Sequence, residues 1–505
     1  MKLLFSNIFF VLFFVLVACE SKKDDGHKSA VADGNKIQIE NSKQGTKEWM
    51  LTNVPFDTCS FPDHRFCRRK SIEGYCSNTS YFAGDTLNIF VSSDPSSEFQ
   101  IDIFRMGYYG GLGGRYITSS GSIKGAPQPM PAIDNKTNLL ECKWDKSFSW
   151  VLPDSLTSGV YVGKLTTRIN KSQAYVIFIV KDRRKADFVF QCSDVTWQAY
   201  NRWPQWHSMY DEGAKPWVNT NGAKISFDRP YSLYVNELPA DFNPLSNGSG
   251  EFFMWEFPLC YWMEKEGYDV SYISGIDTHS DTSLVMRAKG FLSVSHDEYW
   301  TNTMYSNVTK ARDKGVNLFF LGGNSLDGKV YLSPGTDGRP NRITGRMPER
   351  EFDNEQELMG ASSYGVGYSD FVCKSPSHWI FKNTNLKDGD RIKNLGGWEY
   401  HGYPLKKDST LIVLSEDSIR PNKFAAINPP PMQATTIYNG PKGNIVFNAG
   451  SCFWPVALST PPGFIEPVCN QGKEVPSKID FPSNNPDVQQ MTRNLFEYAL
   501  TNKTK

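Results

Sequence analysis

The sequence predicts an α/β protein in which an N-terminal β-sandwich of the immunoglobulin-like kind precedes a doubly wound parallel sheet. Three observations carry this reading. Residues from about 44 to 182 alternate in a β manner and lack long helical periods. From about 186 onward, short apolar runs alternate with segments of helical spacing, the pattern of a parallel sheet covered on both faces. One of those runs, Phe291-Leu-Ser-Val-Ser295, stops abruptly at His296-Asp297-Glu298. Ligands in open α/β sheets sit beyond the carboxyl ends of strands, so this loop is the first candidate for chemistry.

The ends come first. Lys2 supplies a positive start, Leu3 to Val17 is apolar, and Leu16-Val17-Ala18-Cys19 places small residues ahead of a cysteine. The apolar run is short for a membrane span, which needs ~20 residues. Residues 1–19 therefore read as a lipoprotein signal peptide with a lipobox, and Cys19 as the lipidation site. An ordinary signal peptide with a chance cysteine is the alternative. Residues 20–43 are polar and free of aromatics, which predicts a disordered tether. Together these place the protein in the bacterial cell envelope, lipid-anchored on the periplasmic side or at the surface.

Lysine plus arginine equals aspartate plus glutamate, 54 against 54, which argues against a nucleic-acid partner. Aromatics make up 14%, enough for a large packed body and an aromatic-lined cleft. Ten cysteines less Cys19 leave nine, and export predicts disulfides among them. Cys59, Cys67, Cys76 and Cys142 fall in one domain, with connectivity open. His64 lies among them, but Cys-x4-His-x2-Cys-x8-Cys matches no standard zinc knuckle.

Residues 44–183 form the sandwich, with strands expected at Thr86–Val91, Phe99–Phe104, Gly159–Leu165 and Ala174–Val180. The Gly-rich stretch Arg105 to Arg115 opens no helix, so it reads as a tight turn presenting Tyr108 and Tyr109, not a phosphate cradle. Residues 184–505 form the α/β domain. Its strands are expected at Phe188–Phe190, Val270–Ile273, Phe291–Ser295, Val316–Leu321, Leu411–Leu414 and Asn444–Phe447. Helices are expected at Phe252–Glu266, Thr301–Lys314 and Asp487–Leu500. Residues from about 325 to 410 read as a long irregular insertion, a lid or wall.

Within His296-Asp297-Glu298, side chains two apart in extended chain point the same way, so His296 and Glu298 can face one cavity as a metal ligand and a general acid or base. A histidine capping the following helix accounts for the residues equally well. Tyr200 in Thr196-Trp-Gln-Ala-Tyr-Asn-Arg-Trp203 lies on the same sheet edge, and Tyr231 closes Phe227-Asp-Arg-Pro-Tyr231. Tyrosines there serve packing or phenolate ligation, which suits a hard, oxidised iron. Asn324 after Gly322-Gly323 positions a water or substrate amide, or satisfies a turn. Glu399, amid aromatics, is a general base or a salt-bridge partner. Gly450-Ser451-Cys452 matches a nucleophile elbow only in part, leaving a cysteine hydrolase a distant reading.

Six motifs in order resemble the large (beta) subunit of N,N-dimethylformamidase and its relatives, over roughly Phe99 to the C-terminus. They are Arg105-Met-Gly-Tyr-Tyr-Gly-Gly111, Thr196-Trp-Gln-Ala-Tyr-Asn201, Phe227-Asp-Arg-Pro-Tyr231, Ser295-His-Asp-Glu-Tyr-Trp300, Gly322-Gly-Asn324 and Ala449-Gly-Ser451. The resemblance implies a glutamine-amidotransferase-like (flavodoxin-like) second domain. It also implies a mononuclear Fe(III) held by two tyrosines and a glutamate, with a histidine two places before that glutamate and a further glutamate nearby. Carried over, Glu298, Tyr200 and Tyr231 are the metal ligands, with Tyr234 competing with Tyr231, while His296 and Glu399 are catalytic alongside Asn324. The implied activity is metal-dependent cleavage of the C–N bond of a small amide by metal-activated water, with a small subunit or a homo-oligomer as partner. Two departures stand out. The lipobox and the region 325–410 are unlike that family, so substrate identity is not implied. The competing reading is a non-catalytic surface lipoprotein that binds a glycan or protein partner through the sandwich and an aromatic cleft.

Overall fold

Alternating apolar residues between positions 73 and 181 form nine strands. They are β1 (Glu73–Cys76), β2 (Ser80–Phe82), β3 (Thr86–Ser92), β4 (Glu98–Met106), β5 (Gly114–Ser119), β6 (Ile123–Lys124), β7 (Lys146–Val151), β8 (Gly159–Thr167) and β9 (Gln173–Lys181). A computed structural model describes residues 34–55, 68–211, 223–232, 243–349, 351–403, 410–420, 432–465, 468–469, 477–478 and 480–502. The signal segment with Cys19, and also Cys59, His64, Cys67 and Tyr234, lie outside the described residues. β3 joins β1 and β7 in one antiparallel sheet, and the others run β2-β9-β8-β4-β5, with β6 also on β4. Leu87, Ile89 and Val91 of the smaller sheet share a core with Ile101, Ile103, Val176 and Phe178 of the larger. The two sheets therefore pack face to face.

Residues 34–43 depart from the expected tether. Lys36–Asn41 forms helix α1. The Asn35 side chain accepts from the backbone of Ile37 and Gln38, and Gln38 returns a bond to the Asn35 backbone. This capping box satisfies donors that a short helix otherwise leaves to water. Ile37 is buried, and Glu40 accepts from Lys43, Tyr109, Arg115 and Thr157. Composition alone hides this, because the polar residues here bond to protein and not to solvent.

The α/β part opens with β10 (Phe188–Cys192), α2 (Asp194–Tyr200), β11 (Lys224–Ser226) and α3 (Phe257–Lys265), which a π-turn over Phe252–Glu256 leads into. Then come β12 (Val270–Ser274), α4 (Gly275–Ser280), α5 (Thr282–Met286), β13 (Gly290–Ser295), β14 (Tyr299–Thr301), α6 (Asn302–Asp313) and β15 (Asn317–Gly322). The remainder is β16 (Gly328–Ser333), β17 (Ile343–Arg346), α7 (Glu355–Met359), β18 (Ser362–Val366), β19 (Ser369–Val372), β20 (Arg391–Gly396), β21 (Glu399–Gly402), β22 (Ile412–Ser418), β23 (Met432–Asn439), β24 (Ile445–Asn448), α8 (Phe453–Leu458), the short antiparallel pair β25 (Val468–Cys469) and β26 (Ser477–Lys478), and α9 (Pro486–Thr501).

The main sheet runs β12-β10-β13-β15-β24-β23-β21-β18, with β22 also on β23. Its first five strands are parallel. Phe188, Phe190, Leu292, Val294, Phe319 and Leu321 face α3, α8 and α9, while Val189, Phe291, Leu318 and Phe320 face α5, α6 and α7. Both faces are thus covered, as buried parallel strands require. The remaining strands correct the expected all-parallel sheet. β24 pairs antiparallel with β23, and so do β22 and β21, so the predicted strand at 411–414 is antiparallel. The expected irregular insertion at 325–410 instead carries β16 to β21 and α7, and two of its strands extend the main sheet. Its short strands alternate over too few residues to stand out from Gly and Pro punctuation.

Cys76, Cys142, Cys192, Cys260, Cys373 and Cys452 are buried free thiols, so no disulfide joins any two of them.

Candidate metal centre

β13 is a strand because its Phe, Leu and Val alternate between the two helical layers, and it ends at Ser295, whose φ is +54°. That left-handed residue turns the chain so that His296 and Glu298 come to one side and Asp297 to the other. Asp297 accepts from Ser293 and Gln191 at 2.7 Å each. Burial raises its carboxyl to about 6 against those bonds. Gly323 permits the close approach of the neighbouring strands: a Cβ there would lie 2.1 Å from the Glu399 carbonyl oxygen. Glu399, on β21, is held at the end of β24 by the Cys452 N–H, which donates to its carbonyl at 3.3 Å.

Three side chains converge. His296 Nε2 lies 3.4 Å from Glu298 Oε2 and 3.2 Å from Glu399 Oε2. The ligand atoms of the three residues all fall within 4.8 Å of one another, and all three residues are buried. On its other nitrogen, His296 donates to Glu251 Oε2 at 2.8 Å. Burial opposes charge on this imidazole, but Glu251 and Glu399 outweigh it and hold the ring protonated well above its ordinary range. Burial likewise raises the Glu399 carboxyl, against the pull of His296. Tyr200, Trp398 and Trp255 surround the imidazole ring at 5.1, 5.1 and 6.5 Å between centroids.

Phenols complete the cluster. Tyr200 donates to Glu298 Oε2 at 2.5 Å, and Tyr210 donates to Tyr200 at 2.9 Å and lies 3.2 Å from Glu298 Oε1. Tyr210 also bonds Tyr299, which accepts from Arg346 at 2.9 Å. Burial first, and then the Glu298 carboxylate, push the Tyr200, Tyr210 and Tyr299 phenols well above their ordinary range. Such phenols ionise only when a cation arrives.

Tyr231 does not join them. Its ring stands edge-on to Trp197 at 6.2 Å and borders a small cavity with Cys76, Gln198, Arg229 and Arg342. Its charged neighbours are Asp194, Arg342 and Arg229, none of them in the cluster. The phenols that do join are Tyr210 and Tyr299. Tyr299 adjoins Glu298 in sequence, and Tyr210 follows Tyr200 by ten residues. Asn324 has a φ of +57°, and its buried Oδ1 has no hydrogen-bond partner. Cys452 directs its thiol at the carbonyls of Gly323 and Ser295, and burial pushes it up to about 12, which removes it as a nucleophile. Glu251 and Asp327 carried no sequence signal. The β14–β16 register, Tyr299 opposite Gly328, sets Asp327 beside Glu298, and burial and the charges of Glu298 and Glu399 hold its carboxyl high.

The donor set fits a cation. His296 Nε2 and Glu399 Oε2 face each other as an ion pair at 3.2 Å without hydrogen-bond geometry, and Oε1 of Glu251 is buried without a partner. Orphaned buried groups of this kind are rare in folded proteins and call for an ion or water. One imidazole, two carboxylates and adjacent phenols form a hard oxygen-rich set. The Glu251–His296 bond fixes the orientation of the imidazole and favours its charged form.

Residues 100–470 match the family model described as N,N-dimethylformamidase beta subunit-like, C-terminal. No curated protein matches the chain.

Proposed function

The chain belongs to the N,N-dimethylformamidase beta subunit-like family, and from that premise we propose that it is an iron-dependent hydrolase that cleaves the C–N bond of a small amide. The observation that carries this reading is the buried convergence of His296 Nε2, Glu298 and Glu399 with unsatisfied atoms turned inward. Glu298 and Tyr200 would hold the metal, with Tyr210, which bonds Tyr200 and lies beside Glu298, as the second phenolic ligand. A bound ferric ion supplies Lewis acidity toward the amide carbonyl and acidifies water at the site.

The protein's own groups then handle protons. Glu251 holds His296 in one orientation with Nε2–H turned into the cluster, ready to donate to the departing nitrogen. Glu399, high in pKa, takes a proton from the attacking water. Trp255 and Trp398 keep bulk solvent off the imidazole. In this reading the enzyme is lipid-anchored in the cell envelope through Cys19 and works with a small subunit or as a homo-oligomer.

The test is protein purified without chelators, assayed for metal and for visible absorption, then given a panel of small amides. The reading expects one iron per chain, a tyrosinate charge-transfer colour and amine release. Colourless, metal-free protein that releases no amine would sink it and favour the binding lipoprotein.

A further inference from the structure

Arg229 is almost wholly buried, and among the described residues no carboxylate pairs with it. Its guanidinium is instead spent on one stretch of backbone. Nη1 donates to the carbonyls of Trp203 at 3.0 Å and His207 at 2.8 Å. Nη2 donates to those of Asn201 at 2.8 Å and Gln198 at 3.4 Å, and Nε to Gln198 Oε1 at 3.3 Å. Burying an unpaired cation is costly, so the arrangement asks for a reason.

The carbonyls explain the cation. α2 ends at Tyr200, and the last carbonyls of a helix lack intrahelical partners and carry partial negative charge. The chain then turns back on itself, with the Met209 N–H on the Ala199 carbonyl at 2.9 Å. Asn201 adds a second tie, donating to the Pro230 carbonyl at 2.9 Å and accepting from Trp203 and Ser232 at 3.1 Å each. The segment so fixed begins at Tyr200 and ends at Tyr210, the two phenols that reach Glu298.

We infer that Arg229 is a positioning residue: its fork clamps the loop from Gln198 to His207 and thereby sets both phenols of the metal centre. This explains why Phe227-Asp-Arg-Pro-Tyr231 accompanies the Tyr200 motif although Tyr231 stays outside the cluster. The clamp itself stands on geometry, and its consequence for the metal rests on the function proposed above.

Lysine keeps the charge but not the planar five-donor fork. In the full chain, Arg229→Lys is expected to lose hydrogen-exchange protection in the peptide spanning 198–210 while the central sheet stays protected. Its affinity for added iron, read by the charge-transfer band, should fall about 10- to 100-fold, the usual effect of losing an outer-shell support. Asn201→Ala, a smaller lesion in the same loop, should show both effects in weaker form and serves if the arginine variant does not fold. Unchanged protection at 198–210 in a folded variant overturns the clamp. Lost protection with wild-type iron affinity overturns the positioning role. Lost protection in a protein that binds no iron even as wild type upholds the clamp and removes the metal reading instead.

Discussion

Single residues divide the candidate centre into groups that hold a ligand and groups that hold those groups. Glu298 meets His296, Tyr200 and Tyr210, so Glu298→Ala is expected to abolish stoichiometric metal binding. Metal analysis of the folded variant checks this. Glu251 touches only His296 within the triad, and Glu251→Gln keeps the size while removing the charge that holds the imidazole protonated. With His296 as the proton donor, the change should leave metal content unchanged and move the loss of amine release at high pH to a lower pH, read from the pH–rate profile. His401 is a useful contrast. It accepts the Ser325 N–H at 2.7 Å and bonds Asn448, and burial pulls it down to about 4. It is therefore neutral and structural, although it lies two residues from Glu399.

Elements meet through buried charge. Arg105 of β4 makes a two-armed pair with Glu264 of α3, at 2.7 and 3.0 Å, with both side chains wholly buried. Tyr109 and Glu40 extend the network from the Gly-rich turn to α1. Removing one partner leaves the other charged and unpaired, so Arg105→Ala should cost about 3–5 kcal/mol. Chemical denaturation checks this, and adding Glu264→Leu to an Arg105→Met change should recover most of the loss. At the edge of the main sheet, buried β12 lies against β8 and β9, so the edge is covered by the N-terminal strands.

At the scale of the whole molecule, buried acids shape the pH response. Asp194, with Gly275 N–H donating to it at 2.6 Å, is raised to about 7 by burial and by Asp277, which itself pairs with Lys181. Burial raises Glu256 to about 8. Each holds a proton in the folded state that the unfolded chain, with an ordinary carboxyl pKa near ~4, has already released. Between those values these two sites bind more protons in the native state, so their contribution to stability falls as pH rises from about 4 toward 7–8; neutral His401 offsets part of it below its ordinary pKa of ~6.5. Thermal melts should show a higher midpoint at pH 5 than at pH 8, and Asp194→Asn should flatten the difference. A rise with pH over that window would contradict the assignment.

Periodicity was enough to read the parallel strands at 188–190, 270–273, 291–295 and 316–321, because a strand buried on both faces must be apolar along its length. It also marked His296 and Glu298, since two residues apart in extended chain share a side. The family was legible from six short motifs in order. What the sequence left open was set by contacts far apart in the chain. Glu399 reaches His296 because β21 pairs with the chain just past β24, where the Cys452 N–H donates to the Glu399 carbonyl and the His401 N–H to that of Gly450. Tyr210, and not Tyr231, reaches Glu298 because a loop folds back on α2. The helix at 36–41 holds because its polar residues find protein partners. Local pattern reports which face a side chain prefers; only the packed chain decides which other faces it meets.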